Sequence, residues 1–86
     1  MSPVSIGSLR KLRADRVDVI GIVNDVRETM NGNAMIRLED RTGCINVIAT
    51  GKLKEKAMEL LGDEVIGISG SLEGKNLIAD RIVFPE

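Results

Sequence analysis

The sequence contains no histidine, tryptophan or tyrosine, one phenylalanine and one cysteine. Without histidine it lacks the usual base of Ser-His and Cys-His catalysis and a principal ligand of zinc sites. The one cysteine, Cys44, forms no internal disulfide, so a structural thiol is expected in a reducing compartment, the cytoplasm. We therefore expect a chain without catalytic residues, bound metal or cofactor.

Long apolar runs are absent as well. No stretch is long enough to cross a bilayer, and none has the pattern of a signal peptide, so a soluble protein without membrane contact is expected. Apolar residues nevertheless make up 43% of the 86 residues and are nearly all aliphatic. This content is sufficient for one small folded domain.

The net charge of −1 argues against binding to nucleic acid through a general positive field. Residues 1–16 nevertheless carry a net charge of +3, which leaves −4 on the remaining residues. The charged residues of that segment are Arg10, Lys11, Arg13, Asp15 and Arg16. Contact with phosphate is therefore expected to be local, and a solvated face is the alternative.

Residues 1–16 differ in pattern from the rest of the chain. Ile6, Leu9 and Leu12 recur every three residues with basic residues between them, which predicts a short amphipathic helix. We interpret 1–16 as a basic N-terminal segment and 17–86 as the main domain. The three apolar side chains are expected to pack on that domain, and binding to a partner is the alternative.

From residue 17 onward the periodicity is that of β-strands. Residues 17–27 have apolar side chains on both parities around Gly21, which predicts two buried faces or a bulge or sharp coil at that glycine. Asn31-Gly32 predicts a hairpin with a type I′ turn, in which both central positions have positive φ. Alternation then predicts two strands, whose inward residues are Ala34, Ile36, Leu38, Ile45, Val47 and Ala49.

The turn between those strands, Asp40-Arg41-Thr42-Gly43, has Asp and Thr side chains suited to binding local amides. A helix is predicted over 52–61, ended by Gly62; its apolar face would consist of Leu53, Ala57, Leu60 and Leu61. Two more strands are predicted, over 65–72 and 77–84, joined by the turn 73–75. The sequence does not decide which side of the last strand faces inward, because its odd-numbered and even-numbered positions are both partly apolar.

The resulting order is β-β-β-α-β-β. Five short strands leave unpaired edges unless the sheet closes, and one helix between strands three and four plugs the open end. This order predicts an all-β OB-fold, a five-stranded Greek-key barrel with one short helix. Another small barrel or an open five-stranded α+β sheet is the alternative, but Gly21, Gly67 and Gly70 within strands favour tight coiling.

Four segments resemble the OB domain of the small subunit of archaeal family-D DNA polymerase. They are Val19-Ile20-Gly21-Ile22-Val23-Asn24-Asp25-Val26-Arg27, Leu38-Glu39-Asp40-Arg41-Thr42-Gly43, Asp63-Glu64-Val65-Ile66-Gly67-Ile68-Ser69-Gly70 and Ile78-Ala79-Asp80-Arg81-Ile82-Val83-Phe84-Pro85. Individual segments also resemble replication protein A and the anticodon-binding domains of some aminoacyl-tRNA synthetases. In order, they match the polymerase subunit over nearly the whole chain.

The resemblance implies a non-catalytic module that helps assemble a replicative polymerase and position DNA. In that family the OB domain precedes a phosphodiesterase domain, which carries a metal-dependent 3′-5′ exonuclease and docks on the large subunit. Both are the implied partners, and an isolated domain is expected here because the chain has no histidine for such a nuclease. The alternatives are a replication protein A-like single-stranded nucleic-acid-binding barrel and a reconstructed minimal barrel without a binding function.

OB-folds bind oligonucleotides on strands two and three and on two loops, L12 between strands one and two and L45 between strands four and five. The candidate nucleic-acid-binding residues are therefore Arg27, Asn31, Asn33, Arg37, Asn46 and Lys75. Because the chain has almost no aromatic rings for stacking, weak and salt-sensitive binding of single-stranded DNA is expected. Met35 and Ile48, apolar and facing outward between these residues, are candidates for protein interaction, and an ordinary solvated face is the alternative.

Overall fold

The computed structural model describes residues 3–11 and 15–84 of the chain. A 3-10 helix precedes five strands and one α-helix: Ile6–Lys11, then β1 Arg16–Glu28, β2 Ala34–Asp40, β3 Gly43–Ala49, α1 Lys52–Met58, β4 Val65–Glu73 and β5 Asn76–Val83. The strands close into a barrel in the order β1-β2-β3-β5-β4. The predicted order of elements and the five-stranded barrel are confirmed.

The long strand β1 belongs to both halves of the barrel. Arg16–Ile22 pairs with β4, and Ile22–Glu28 pairs with β2. Gly21 lies where β1 approaches β2 closely, since a Cβ there would lie 2.7 Å from the carbonyl oxygen of Glu39. The bulge expected at Gly21 lies instead at Asn24, where the register with β2 shifts. The strand therefore bends at this bulge, and Gly21 permits the close approach of β1 to β2.

A second irregularity settles which side of β5 faces the core. The register between β4 and β5 shifts beside Gly70, so Asp80 has no direct partner. Leu77 and Ala79 are buried before this point, and Ile82 is buried after it. Each of the two competing parities therefore faces inward over part of the strand.

Aliphatic side chains from all five strands fill the barrel. The predicted inward faces of β2 and β3 are confirmed, because all six of those residues are buried. Ile6 and Leu9 of the 3-10 helix join the same core, whereas Leu12 lies outside the described residues. The largest fully buried side chains are Val19, Val23, Ile36, Leu38, Val47, Ile66, Ile68 and Leu77.

Helix α1 is shorter than predicted. It ends at Met58, and Leu61 is 70% exposed, so the prediction was wrong for Gly62 as the terminator and for Leu61 on the apolar face. Beyond the helix, Asp63 has positive φ, 69°, and donates its amide to the Val23 carbonyl at 2.8 Å. That bond joins the segment after the helix to β1.

The hairpin between β1 and β2 forms where Asn31-Gly32 predicted it, but not through a type I′ turn. Only Gly32 there has positive φ, 80°. Its amide donates to the Thr29 carbonyl at 3.0 Å, and the Thr29 amide donates to the Asn33 carbonyl at 2.8 Å. This is a three-residue loop that ends in a left-handed residue, a geometry common in hairpins.

Candidate nucleic-acid interface

A cleft of about 410 Å³ lies between the outer face of β2 and β3 and the turn that joins β4 to β5. Arg37, Cys44 and Asn46 line its strand side, and Gly74 and Lys75 line the side of the turn. Its base is apolar and includes Ile6, Leu9 and Leu72. The cleft thus combines cations and an amide with an apolar base, at the place where an OB-fold presents strands two and three and loop L45.

Arg37 is held in one position on this face. Asn46 is its cross-strand partner, and Arg37 Nη1 donates to Asn46 Oδ1 at 3.0 Å. Arg37 Nη2 donates to Cys44 Sγ at 2.9 Å. The N–H donors lie in the plane of the guanidinium group, so these bonds are made at its edge and not through its flat faces.

The strand register extends this surface across the sheet. Arg27, Met35, Ile48 and Ile78 form one row on neighbouring strands, and the next row is Asp25, Arg37, Asn46 and Asn76. Three members of the first row are apolar, and the second row is entirely polar. A polymer lying along β2 would therefore pass from an apolar row to a polar one beside the cleft.

The structure brings together only part of the predicted nucleic-acid-binding set. Arg37, Asn46 and Lys75 meet in the cleft, and Met35 and Ile48, the predicted protein-interaction pair, lie half-buried in the adjoining row.

The remaining predicted residues lie elsewhere or are already paired. Arg27 forms an ion pair with Asp25 at 2.7 Å, so its charge is locally compensated. Asn31 and Asn33 belong to the β1–β2 loop, at the opposite end of β2 from the cleft. Asn33 is four residues from Arg37, about 13 Å along an extended strand.

Acidic side chains offset the positive charge of the cleft. Glu39 is the cross-strand partner of Cys44, and Glu73 directly precedes Gly74 in the chain. Neither Arg37 nor Lys75 forms an ion pair within residues 3–11 and 15–84. The charges of the described residues around the cleft are therefore of both signs.

Asp40 fixes the base of the cleft. Its carboxylate accepts hydrogen bonds from the amides of Ile6 at 2.8 Å and Thr42 at 2.7 Å, from the Thr42 hydroxyl at 2.5 Å and from the Gly43 amide at 3.2 Å. Burial by itself would raise the pKa of Asp40, but these bonds outweigh it and the pKa is lowered. The predicted local amide binding is present, together with an unpredicted bond to the 3-10 helix.

Sequence reasoning missed the place of Cys44 in this site. Alternation along β3 is consistent with an outward thiol beside Asn46, but its role as the acceptor for Arg37 depends on the diagonal pairing of two strands. In the sequence, the contact corresponds to a separation of seven residues between Arg37 and Cys44 across the β2–β3 hairpin.

Sequence reasoning also missed a second surface, the outer face of β1, β4 and β5. Ile22 lies beside Val65, and Ile20 lies beside Gly67, which neighbours Val83. Ile20, Ile22 and Val65 are 40%, 41% and 48% exposed. The apolar residues on both parities of β1 were the available signal. We call Ile20, Ile22, Val65 and Val83 the β1–β4–β5 face.

Groups of three or more His, Cys, Asp or Glu side chains that could hold a metal ion are absent from the part of the chain that the structure describes. That part also contains no helix with the length and apolar character needed to span a membrane.

No family model matches the sequence, but curated relatives do. The DNA polymerase II small subunit of Archaeoglobus fulgidus is 57% identical over 70 residues, 81% of this chain and 14% of that protein. The subunit of the same name from Methanothermobacter thermautotrophicus is 43% identical over 74 residues, 83% of this chain and 15% of the relative. The chain therefore spans about one seventh of the length of the relatives it matches.

Solved structures show the same fold at low sequence identity. The Stn1–Ten1 complex of S. pombe matches 94% of this chain and 75% of the solved chain, with a TM-score of 0.84 and 14% identity. A replication protein A heterotrimer bound to single-stranded DNA matches 98% of this chain and 80% of the other, with a TM-score of 0.81 and 15% identity. The OB-fold and the resemblance to an archaeal DNA polymerase small subunit are confirmed.

Proposed function

We propose that this OB-fold barrel, which matches a segment of archaeal DNA polymerase II small subunits, is a non-catalytic module that positions single-stranded DNA in the cytoplasm. The observation that carries the proposal is the cleft of Arg37, Asn46 and Lys75 on the β2–β3 face. The polymerase relatives and the solved replication protein A bound to single-stranded DNA support the same class of ligand.

A single strand fits this cleft better than a duplex for a physical reason. The bases of a single strand expose their flat faces and edges, which stack on side chains, whereas a duplex buries them against each other. Among the residues that line it, the cleft offers two cations, Arg37 and Lys75, and an apolar base, whereas duplex phosphates favour a more extended positive surface. Preference for the single strand is therefore the expected signature.

Fluorescence anisotropy tests this proposal with the full 86-residue chain. A labelled oligothymidine is titrated at low and moderate salt, with a duplex of equal length as the control. We expect saturable binding to the single strand with a Kd on the order of 10 to 100 µM at low salt, which weakens as salt is added. Equal affinity for the duplex, or no saturable binding, would contradict the proposal.

A second candidate function is assembly, favoured by the exposed apolar β1–β4–β5 face. We propose that this face contacts the phosphodiesterase domain of the same subunit or the large polymerase subunit. In a whole small subunit, Ile22→Asp with Val65→Asp should reduce co-purification with the large subunit or loosen the phosphodiesterase domain. Arg37→Glu with Lys75→Glu is the matched control and should leave both contacts intact. The reverse pattern would assign assembly to the cleft.

A further inference from the structure

We propose that the guanidinium group of Arg37 is the base-stacking surface of the cleft, in place of the aromatic rings that OB-folds commonly use, while Lys75 contacts phosphate. This inference rests on the proposed function and assigns separate chemical roles within that site.

The cleft has no aromatic side chain among its lining residues. The one aromatic residue of the chain, Phe84, follows β5, whose opposite end begins at Asn76 beside the cleft. Eight strand residues separate Phe84 from that end, a distance of about 25 Å. Phe84 also has the Lys56 ammonium 5.2 Å from its ring centre. A base bound in the cleft must therefore stack on another planar group.

Arg37 is the planar group available there. Its bonds to Asn46 and Cys44 orient the guanidinium group before any ligand arrives. Part of the rotamer freedom of the side chain is then lost in folding and not in binding. A fixed, exposed guanidinium plane offers the same kind of flat surface as an aromatic ring and adds a cation.

The same two bonds occupy only part of the donor set of Arg37. One N–H of Nη1 and one of Nη2 donate to β3 side chains, so this pair is engaged, whereas three of the five guanidinium N–H groups are not used by these bonds. Lys75 is the less constrained cation, because it is exposed on the two-residue β4–β5 turn and ends in a compact point charge. Stacking therefore falls to Arg37 and phosphate contact to Lys75.

Two probes of equal length separate these roles: oligothymidine and an abasic strand with the same phosphates and no bases. The wild-type chain should bind oligothymidine roughly tenfold more tightly than the abasic strand. Arg37→Lys keeps the charge but removes the plane, so its affinity for oligothymidine should fall to near the abasic value with an unchanged salt slope. Lys75→Gln should weaken both probes equally and reduce the salt slope by about 0.7.

Unchanged thermal midpoints for both variants are the control for folding. The assignment is overturned if Arg37→Lys binds oligothymidine as the wild type does, or if it weakens both probes by the same factor. These outcomes would leave single-strand binding by the cleft intact. Failure of the wild-type chain to bind either probe would instead overturn the proposed function, and this assignment with it.

Discussion

The carboxylate of Asp40 accepts a hydrogen bond from the amide of Ile6 at 2.8 Å, across 34 residues of sequence. This bond joins the last residue of β2 to the N-terminal 3-10 helix, and it holds Ile6 at the base of the cleft. The hydroxyl of Thr42 accepts a further bond from the Gly7 amide at 2.7 Å. Asp40 and Thr42 therefore anchor the start of the 3-10 helix, which contributes Ile6 to the base of the cleft.

Replacing Asp40 should destabilise the barrel. Asp40→Ala removes the acceptor for three backbone amides and one hydroxyl, and we expect a loss of about 2 to 3 kcal/mol in the free energy of unfolding. Thr42→Ala, which removes a smaller set of bonds, should cost about 1 kcal/mol. Urea unfolding measures both, and a loss no larger for Asp40→Ala than for Thr42→Ala would contradict this account.

The stability contributed by Asp40 should depend on pH. Its folded-state pKa lies below the ordinary 3.8, so the unfolded state takes up the proton first as the pH falls. The contribution is therefore complete above the unfolded-state pKa and is lost as the pH falls through the folded-state value. Urea unfolding between about pH 5 and pH 2 should show a shallower pH dependence for Asp40→Asn than for the wild type. Parallel curves would contradict the assignment.

Two of the strand glycines should resist substitution, and a third should not. A Cβ at Gly21 or Gly70 would overlap the backbone of the neighbouring strand, whereas a Cβ at Gly67 would have its nearest neighbour at 3.6 Å. We expect Gly21→Ala and Gly70→Ala each to cost about 2 to 3 kcal/mol, and Gly67→Ala to change stability by less than about 1 kcal/mol. Similar losses at all three positions would show that the close approaches do not explain the glycines.

The sequence is most informative where alternation is uninterrupted. Alternation in β2 and β3 predicted every inward residue, because each of these strands keeps one face in the core from end to end. It failed at the β1 bulge and could not decide β5, because the bulges at Asn24 and beside Gly70 are set by partner strands. A single inserted residue reverses the faces of all that follow it.

The candidate site likewise has a part that the sequence predicted and a part that it did not. Strand position within an OB-fold was enough to propose Arg37, Asn46 and Lys75. Three other contacts depend on side-chain geometry. They are the ion pair of Arg27 with Asp25, the hydrogen bond from Arg37 to the thiol of Cys44 and the hydrogen bond from the Ile6 amide to Asp40. Those contacts decide which of the proposed residues are available to a ligand.

Releasing Arg27 should strengthen binding to single-stranded DNA. Asp25→Asn removes the carboxylate that pairs with Arg27 and lies in the same row as Arg37, so an added cation becomes available to phosphate. We expect about threefold tighter binding of oligothymidine at low salt and a salt slope steeper by about 0.7. Asp80→Asn, which releases Arg16, is the control of equal charge and should have a smaller effect. A larger effect for Asp80→Asn would place the bound strand nearer Arg16.

The most direct test of the central claim is a nitrogen-15 NMR titration of the full chain with unlabelled oligothymidine. We expect the amide shifts of Arg37, Cys44, Asn46 and Lys75 to change with ligand concentration along a single binding curve. The amides of Ile20, Ile22 and Val65, on the β1–β4–β5 face, should stay unchanged. Shifts confined to that face, or none at saturating oligonucleotide, would contradict the claim that the cleft binds single-stranded DNA.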